Sequence, residues 1–212
     1  MKKFFLVAIL FSIINIAYPQ KIKVIDTDFS KGKLAHIQTI RYSDLVKFHG
    51  HSCDGLLEGW QALELALNKL YPEGIIDRTN TRIVCKPSPC IADVAIFLTG
   101  GRYQYNTFYV SKDFEGLYIV QRIDNGLTIQ VLRNDNVKPA AIDSLGNLAI
   151  MQKLSYEELQ NLRKLEDQYA AYLRKTPSNE NFTLRILQNF QWNPILNNEF
   201  IKTDIINKHI TN

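Results

Sequence analysis

The sequence predicts an α+β protein, an antiparallel or mixed sheet packed with helices and followed by a C-terminal helical extension. Three observations carry that prediction. Leu56, Trp60, Leu63, Leu67 and Leu70 recur at alternating spacings of four and three, which lines one face of a helix. Four short β-rich runs lie between residues 81 and 132. Ser155 opens a second helix with Glu158 three residues on, the pattern of a capping box. The 212-residue chain is 46% hydrophobic and 22% charged. That share suits a globular protein rather than a disordered one, and a chain this long buries roughly 70% of its unfolded surface.

In chain order, Lys21–Ile25 reads as a short strand, and Ser43 as the cap of a short helix through Leu45, Val46 and Phe48. The long helix of Leu56–Leu70 stops at Pro72 and Gly74. Thr81–Cys85 reads as a strand broken by Pro87 and Pro89. Ser88 then caps a helix with Pro89 at its first position, where proline fits, and Gly100-Gly101 ends it. Asn106–Val110, Leu117–Arg122 and Leu127–Leu132 read as strands, with Asn125-Gly126 as a hairpin turn between the last two. Asn134–Leu148 reads as a turn-rich connection. The Ser155 helix carries Leu159, Leu162, Leu165, Tyr169 and Leu173 and ends at Pro177, and a shorter helix over about Glu180–Phe190 follows. The domain organisation expected is a leader over 1–20, an α+β core over 21–150 and a helical extension over 151–212.

Lys2 and Lys3 precede an apolar run from Phe4 to about Ile16, which breaks at Ala17-Tyr18-Pro19-Gln20. A basic start, a short apolar stretch and a turn-forming exit match a secretory signal peptide, and the run is shorter than the roughly 20 residues that span a bilayer. The expected location is therefore periplasmic or secreted, with no stable membrane insertion once the leader is removed. Losing Lys2 and Lys3 leaves 23 basic against 21 acidic residues, a net charge of +2. A nearly neutral chain argues against nucleic acid as a partner. Three cysteines are too few for a disulfide scaffold.

One cluster carries chemistry. His49, His51 and Cys53 lie within five residues of one another, ahead of Gly55, and Cys90 starts another predicted helix. Imidazole nitrogen with thiolate sulfur suits zinc or a similar divalent transition metal, nickel or iron included. Both thiols sit near predicted helix N-termini, where the helix dipole favours thiolate. Asp93, one turn after Cys90, can serve as a ligand, as a partner to a histidine or as a base. Cys85 reads either as a disulfide partner of Cys90 or as a packed core thiol. No glycine-rich phosphate loop or Gly-x-Ser-x-Gly elbow is present.

The run Phe48-His49-Gly50-His51-Ser52-Cys53-Asp54-Gly55-Leu56, followed by Gly59 and Ala62, resembles the N-terminal motif of the FmdE family of formylmethanofuran dehydrogenase components. Cys90-Ile91-Ala92-Asp93 followed by Leu98-Thr99-Gly100 resembles its second block. The likeness covers roughly residues 40–133. It implies an α+β core, a homodimer, and a metal held by His51, Cys53 and Cys90 with His49 and Asp93 beside it. The chain departs from the family pattern after Leu-Thr-Gly, where Gly101-Arg102-Tyr103 replaces the usual Cys-Thr and the lysine that follows is missing. Gln61 stands where an arginine is frequent. No cysteine follows residue 90, so the C-terminal zinc finger of many members has no counterpart. The function expected is an exported metal-binding protein with a small-ligand or metal-carrier role. The alternatives are a thiol-redox protein using Cys53 and Cys90, or a metal-dependent hydrolytic enzyme.

Overall fold

A computed structural model describes residues 21–27 and 36–192. The expected leader and the tail beyond residue 192 lie outside the described residues. Two sheets form. In the smaller, β1 (Lys21–Ile25) is central, antiparallel to β2 (Gln38–Arg41) and parallel to β3 (Ile76–Asp77). The larger contains β4 (Thr81–Cys85), β5 (Phe108–Val110), β6 (Tyr118–Arg122), β7 (Thr128–Arg133) and β8 (Phe182–Ile186) in the order β5-β4-β6-β7-β8. Only β4 and β5 run parallel in this sheet; its other neighbours are antiparallel. The fold is α+β with mixed sheets, as the sequence predicts.

The helices are α1 (Tyr42–His49), α2 (Asp54–Leu70), α3 (Pro89–Thr99), α4 (Ala140–Ile150), α5 (Tyr156–Lys175) and the short α6 (Ser178–Asn181). α2 is the centre of the molecule. Thirteen of its seventeen residues are buried, far more than one amphipathic stripe requires, so it must be covered on several sides. α3 and α5 flank it, and β6 and β7 back it. Trp60, Leu63 and Leu67 are fully buried in the main core with Ile83, Val120, Ile129 and Leu173.

Local chemistry explains the helix ends. The Asp44 carboxylate accepts the backbone N–H of Arg41 at 2.9 Å, so the cap of α1 is Arg41, two residues before the expected Ser43, which lies inside the first turn. Ser155 and Glu158 form the expected reciprocal cap of α5. Gly100 closes α3 in the left-handed region at φ +62°, which glycine enters without a side-chain clash. Two elements differ from the sequence reading. Residues 140–150 form α4, not a turn-rich connection, and the helix expected over 180–190 is replaced by β8, which pairs with β7 over five residues.

Glu64 is an unusual buried group on α2. Burial pushes its carboxyl up to about 7, while one hydrogen bond from Trp60 Nε1 at 3.0 Å pulls the other way. Between its unfolded value of 4.5 and about 7 the folded chain holds a proton that the unfolded chain releases. Stability therefore falls as pH rises through that window. Glu64→Gln is expected to raise stability at pH 8 by on the order of 2–3 kcal/mol, with little or no gain at pH 4.5. Urea midpoints of both proteins at the two pH values check it, and an equal gain at both would count against a titrating Glu64.

Candidate metal centre

The site lies where α1, α2 and α3 meet. α1 ends at His49, and Gly50 turns the chain at φ +99°, which releases His51 and Ser52 into a loop before α2. Cys53 is the N-cap of α2, and the Leu56 backbone N–H donates to its sulfur at 3.3 Å. Cys90 lies in the first turn of α3. The two N-termini thus point two thiols at one spot, with the positive ends of both helices behind them.

That convergence needs glycine at two places on α2. A Cβ on Gly55 would stand 3.2 Å from both the Cβ and the sulfur of Cys90. A Cβ on Gly59 would come within 2.7 Å of the Tyr118 hydroxyl, which donates to the Ile91 carbonyl at 3.1 Å. Both glycines of the motif therefore serve the close approach of α2 to α3 and the sheet.

Cys53 Sγ is 3.5 Å from Cys90 Sγ and 3.9 Å from His49 Nε2. Cys90 Sγ is 3.7 Å from the same nitrogen. Tetrahedral zinc, with bonds of about 2.3 Å to sulfur and about 2.0 Å to nitrogen, sets sulfurs about 3.8 Å apart and nitrogen about 3.5 Å from sulfur. All three observed separations lie within about 0.4 Å of those edges. His49, His51 and Cys53 each offer a donor atom, all within 4.8 Å of one another. His51 is exposed, and its ring lies 4.7 Å from that of His49.

His49 Nδ1 donates to Asp93 Oδ2 at 2.8 Å, which turns Nε2 toward the thiols. Burial lowers the pKa of this imidazole, but Asp93 and the Cys53 thiolate outweigh it, and the net shift is upward. Cys53 is pulled down to about 6, first by the hydrogen bond from Cys90 and then by the Leu56 N–H, against the effect of burial. Cys90 moves upward, because it keeps the shared proton. Cys85 is fully buried on β4, its thiol pushed up to about 12 by burial, and all three thiols are free. The packed-core reading of Cys85 fits, and a Cys85–Cys90 disulfide is not formed.

Every site residue named from the sequence is here: His49, His51, Cys53, Cys90 and Asp93. The sequence reading did not anticipate the roof. α5 brings Arg163, Glu166, Asp167 and Arg174 over His51 and Cys53, lining a cleft of about 410 Å³. Nothing in the sequence before folding ties residue 166 to residue 53.

An α+β domain with an imidazole–thiol cluster at the joint of three helices is a protein with a preformed soft-donor site, compatible with metal binding. The model of the family described as "FmdE, Molybdenum formylmethanofuran dehydrogenase operon" matches residues 48–183. The chain belongs to that family. No curated protein matches it.

Proposed function

We propose that this chain binds a divalent transition metal through His49 Nε2, Cys53 Sγ and Cys90 Sγ, with exposed His51 as the fourth, displaceable donor. The carrying observation is the triangle of three donor atoms with edges of 3.5, 3.7 and 3.9 Å. The borderline-soft donor set favours zinc, and nickel or iron suit the same ligands. A bound metal would supply Lewis acidity to a small ligand. The chain's own residues orient the site: Asp93 holds the His49 tautomer, and the Leu56 N–H and the helix dipole hold the Cys53 thiolate. The role that follows is small-ligand binding or metal carriage.

The leader supports a periplasmic or secreted location, and no helix among the described residues is long and apolar enough to cross a membrane. A homodimer belongs to the same proposal. Leu148, Ile150, Met151, Tyr156 and Leu159, exposed around the α4–α5 connection, support it as a surface that association would cover. A second reading has its own observation. Cys53 and Cys90 are 3.5 Å apart with Cys53 pulled toward thiolate, which suits a thiol-redox pair.

Metal analysis with thiol counting tests the proposal. Protein purified without added metal is expected to carry about one metal per chain. A chelator should then expose two further thiols without any reductant. Thiols that appear only after reduction, with no metal present, would favour the redox pair instead. Asp93→Asn is expected to weaken metal binding by about 10–100-fold, the usual effect of losing the partner that orients a histidine ligand. Competition against a chromophoric chelator measures it, and an unchanged affinity would remove Asp93 from the site's design.

A further inference from the structure

Glu64 stands on α2 about 16 Å along the helix axis from Cys53, outside the metal centre. It is 5% exposed and borders a cleft of about 370 Å³ between α2 and the small sheet. The cleft opens where that sheet is incomplete. β3 pairs with β1 only at Val24 and Ile25, so among the described residues the stretch Lys21–Lys23 has no strand on that side. Asn68, one turn beyond Glu64, shares its helix face and borders the same cleft.

The carboxyl at the base of this cleft has no counter-ion. Trp60 Nε1 donates to its Oε2 at 3.0 Å, and Trp60 is itself fully buried, so that oxygen is fixed on the inner side. Oε1 accepts no hydrogen bond and is not sealed within the core, so the cleft is the space it meets. Among the described residues no cation pairs with Glu64. Glu73, the other carboxylate of the cleft, is engaged by Arg122 Nη1 at 3.0 Å. A buried carboxyl without a charged partner is costly to keep ionised, and one that borders a cleft has the pattern of a binding group rather than of core packing. Burial pushes Glu64 up to about 7, so above that pH the cleft holds a bare carboxylate.

We propose that this cleft binds a primary monoamine with a short apolar body, its ammonium group donating to Glu64 Oε1. An ammonium brings both things the carboxylate lacks, a positive charge and N–H donors. The side-chain carbonyl of Asn68 offers a second acceptor on the same helix face. Ile22 and Ile76 are buried and Ile75 is half-buried along the wall, which suits an alkyl chain. Lys21 and Lys23 are exposed at the rim and repel a second positive charge, so a diamine is disfavoured. Glu64 at the base disfavours an anion. The cleft is separate from the thiols, and the proposal does not depend on a metal there.

Calorimetric titration of the full chain at pH 8 with butylamine, butan-1-ol and 1,4-diaminobutane tests this. Butylamine is expected to bind at least tenfold more tightly than either the uncharged or the doubly charged probe. Fluorescence gives a second readout, because Trp60 bonds the same carboxylate. In a Trp192→Phe chain, where Trp60 is the remaining tryptophan, butylamine should change the emission with the midpoint that calorimetry gives. Glu64→Gln keeps the shape of the side chain and is expected to be well folded at pH 8. It should weaken butylamine binding at least tenfold while leaving metal content unchanged. Chelator treatment should leave the butylamine affinity as it is. Butan-1-ol binding as tightly as butylamine, an affinity untouched in Glu64→Gln, or no butylamine binding at all would overturn the proposal. Binding that vanishes with the chelator would place the amine on the metal and overturn it as well.

Discussion

Cys53→Ser is expected to reduce metal affinity by more than about 100-fold and to leave the purified chain with far less than one metal per molecule. The reason is the number of roles this sulfur fills. It caps α2, accepts the Leu56 N–H, and stands 3.5 and 3.9 Å from the other two donors. A serine oxygen can still cap the helix, so the fold should survive, but it is a poor thiolate substitute at neutral pH. Cys90→Ser should lose metal to a similar degree. Cys85→Ala should keep one metal per chain and lose only core packing, because Cys85 is fully buried on β4 and takes no part in the cluster. The histidines give the sharper contrast. His49→Ala is expected to cost more affinity than His51→Ala, since His49 is held by Asp93 and touches both sulfurs, whereas His51 is exposed. Metal content and competition titrations across the five variants check the set. Equal metal content in wild type and Cys53→Ser would end the metal-binding reading.

The ranking of the two histidines shows what could be read before folding. A His-x-His-x-Cys run announces soft donors, but i, i+2 spacing does not say which ring faces the thiols. That depends on Asp93, 44 residues later, which reaches Nδ1 of His49. The Leu56–Leu70 periodicity, the Ser155–Glu158 box and the Asn125-Gly126 hairpin were legible because each reflects physics within a few residues. The misreadings fall where tertiary context decides. Asn134, Asp135, Asn136, Pro139 and Gly146 read as a loop, yet Ile142, Leu145 and Ala149 keep helical spacing and pack toward the core, so α4 forms in spite of the glycine. Phe182–Ile186 does carry a strand pattern, Phe182, Leu184 and Ile186 alternating with Thr183 and Arg185, but it is only five residues long and adjoins the polar Ser178–Asn181 turn of helix. It becomes a strand because the edge of β7 is there to pair with it. In the small sheet β1 was legible, but two-residue β3 exists only through its parallel contact with β1.

Arg133→Met is expected to destabilise the fold by about 3 kcal/mol, a drop in melting temperature of roughly 6–12 °C for a chain of this size. Arg133, at the end of β7, places Nη1 2.7 Å from Glu58 Oε1 on α2. The Glu58 side chain is only 3% exposed, so removing the arginine strands a carboxylate in the core, whereas Arg133 itself keeps 29% exposure and some water. That residual exposure is why the expected cost sits at the low end for a broken buried pair. The pair also locks the helix that begins at Cys53 to the sheet that supports it. If the cost comes from the abandoned charge, removing the charge should undo most of it. The double variant Glu58→Gln/Arg133→Met is therefore expected to be clearly more stable than Arg133→Met alone, with a coupling of at least about 1.5 kcal/mol across the double-mutant cycle. Urea unfolding of the four chains measures that coupling. Single effects that simply add would mean that Arg133 contributes packing of its stem rather than neutralisation of Glu58.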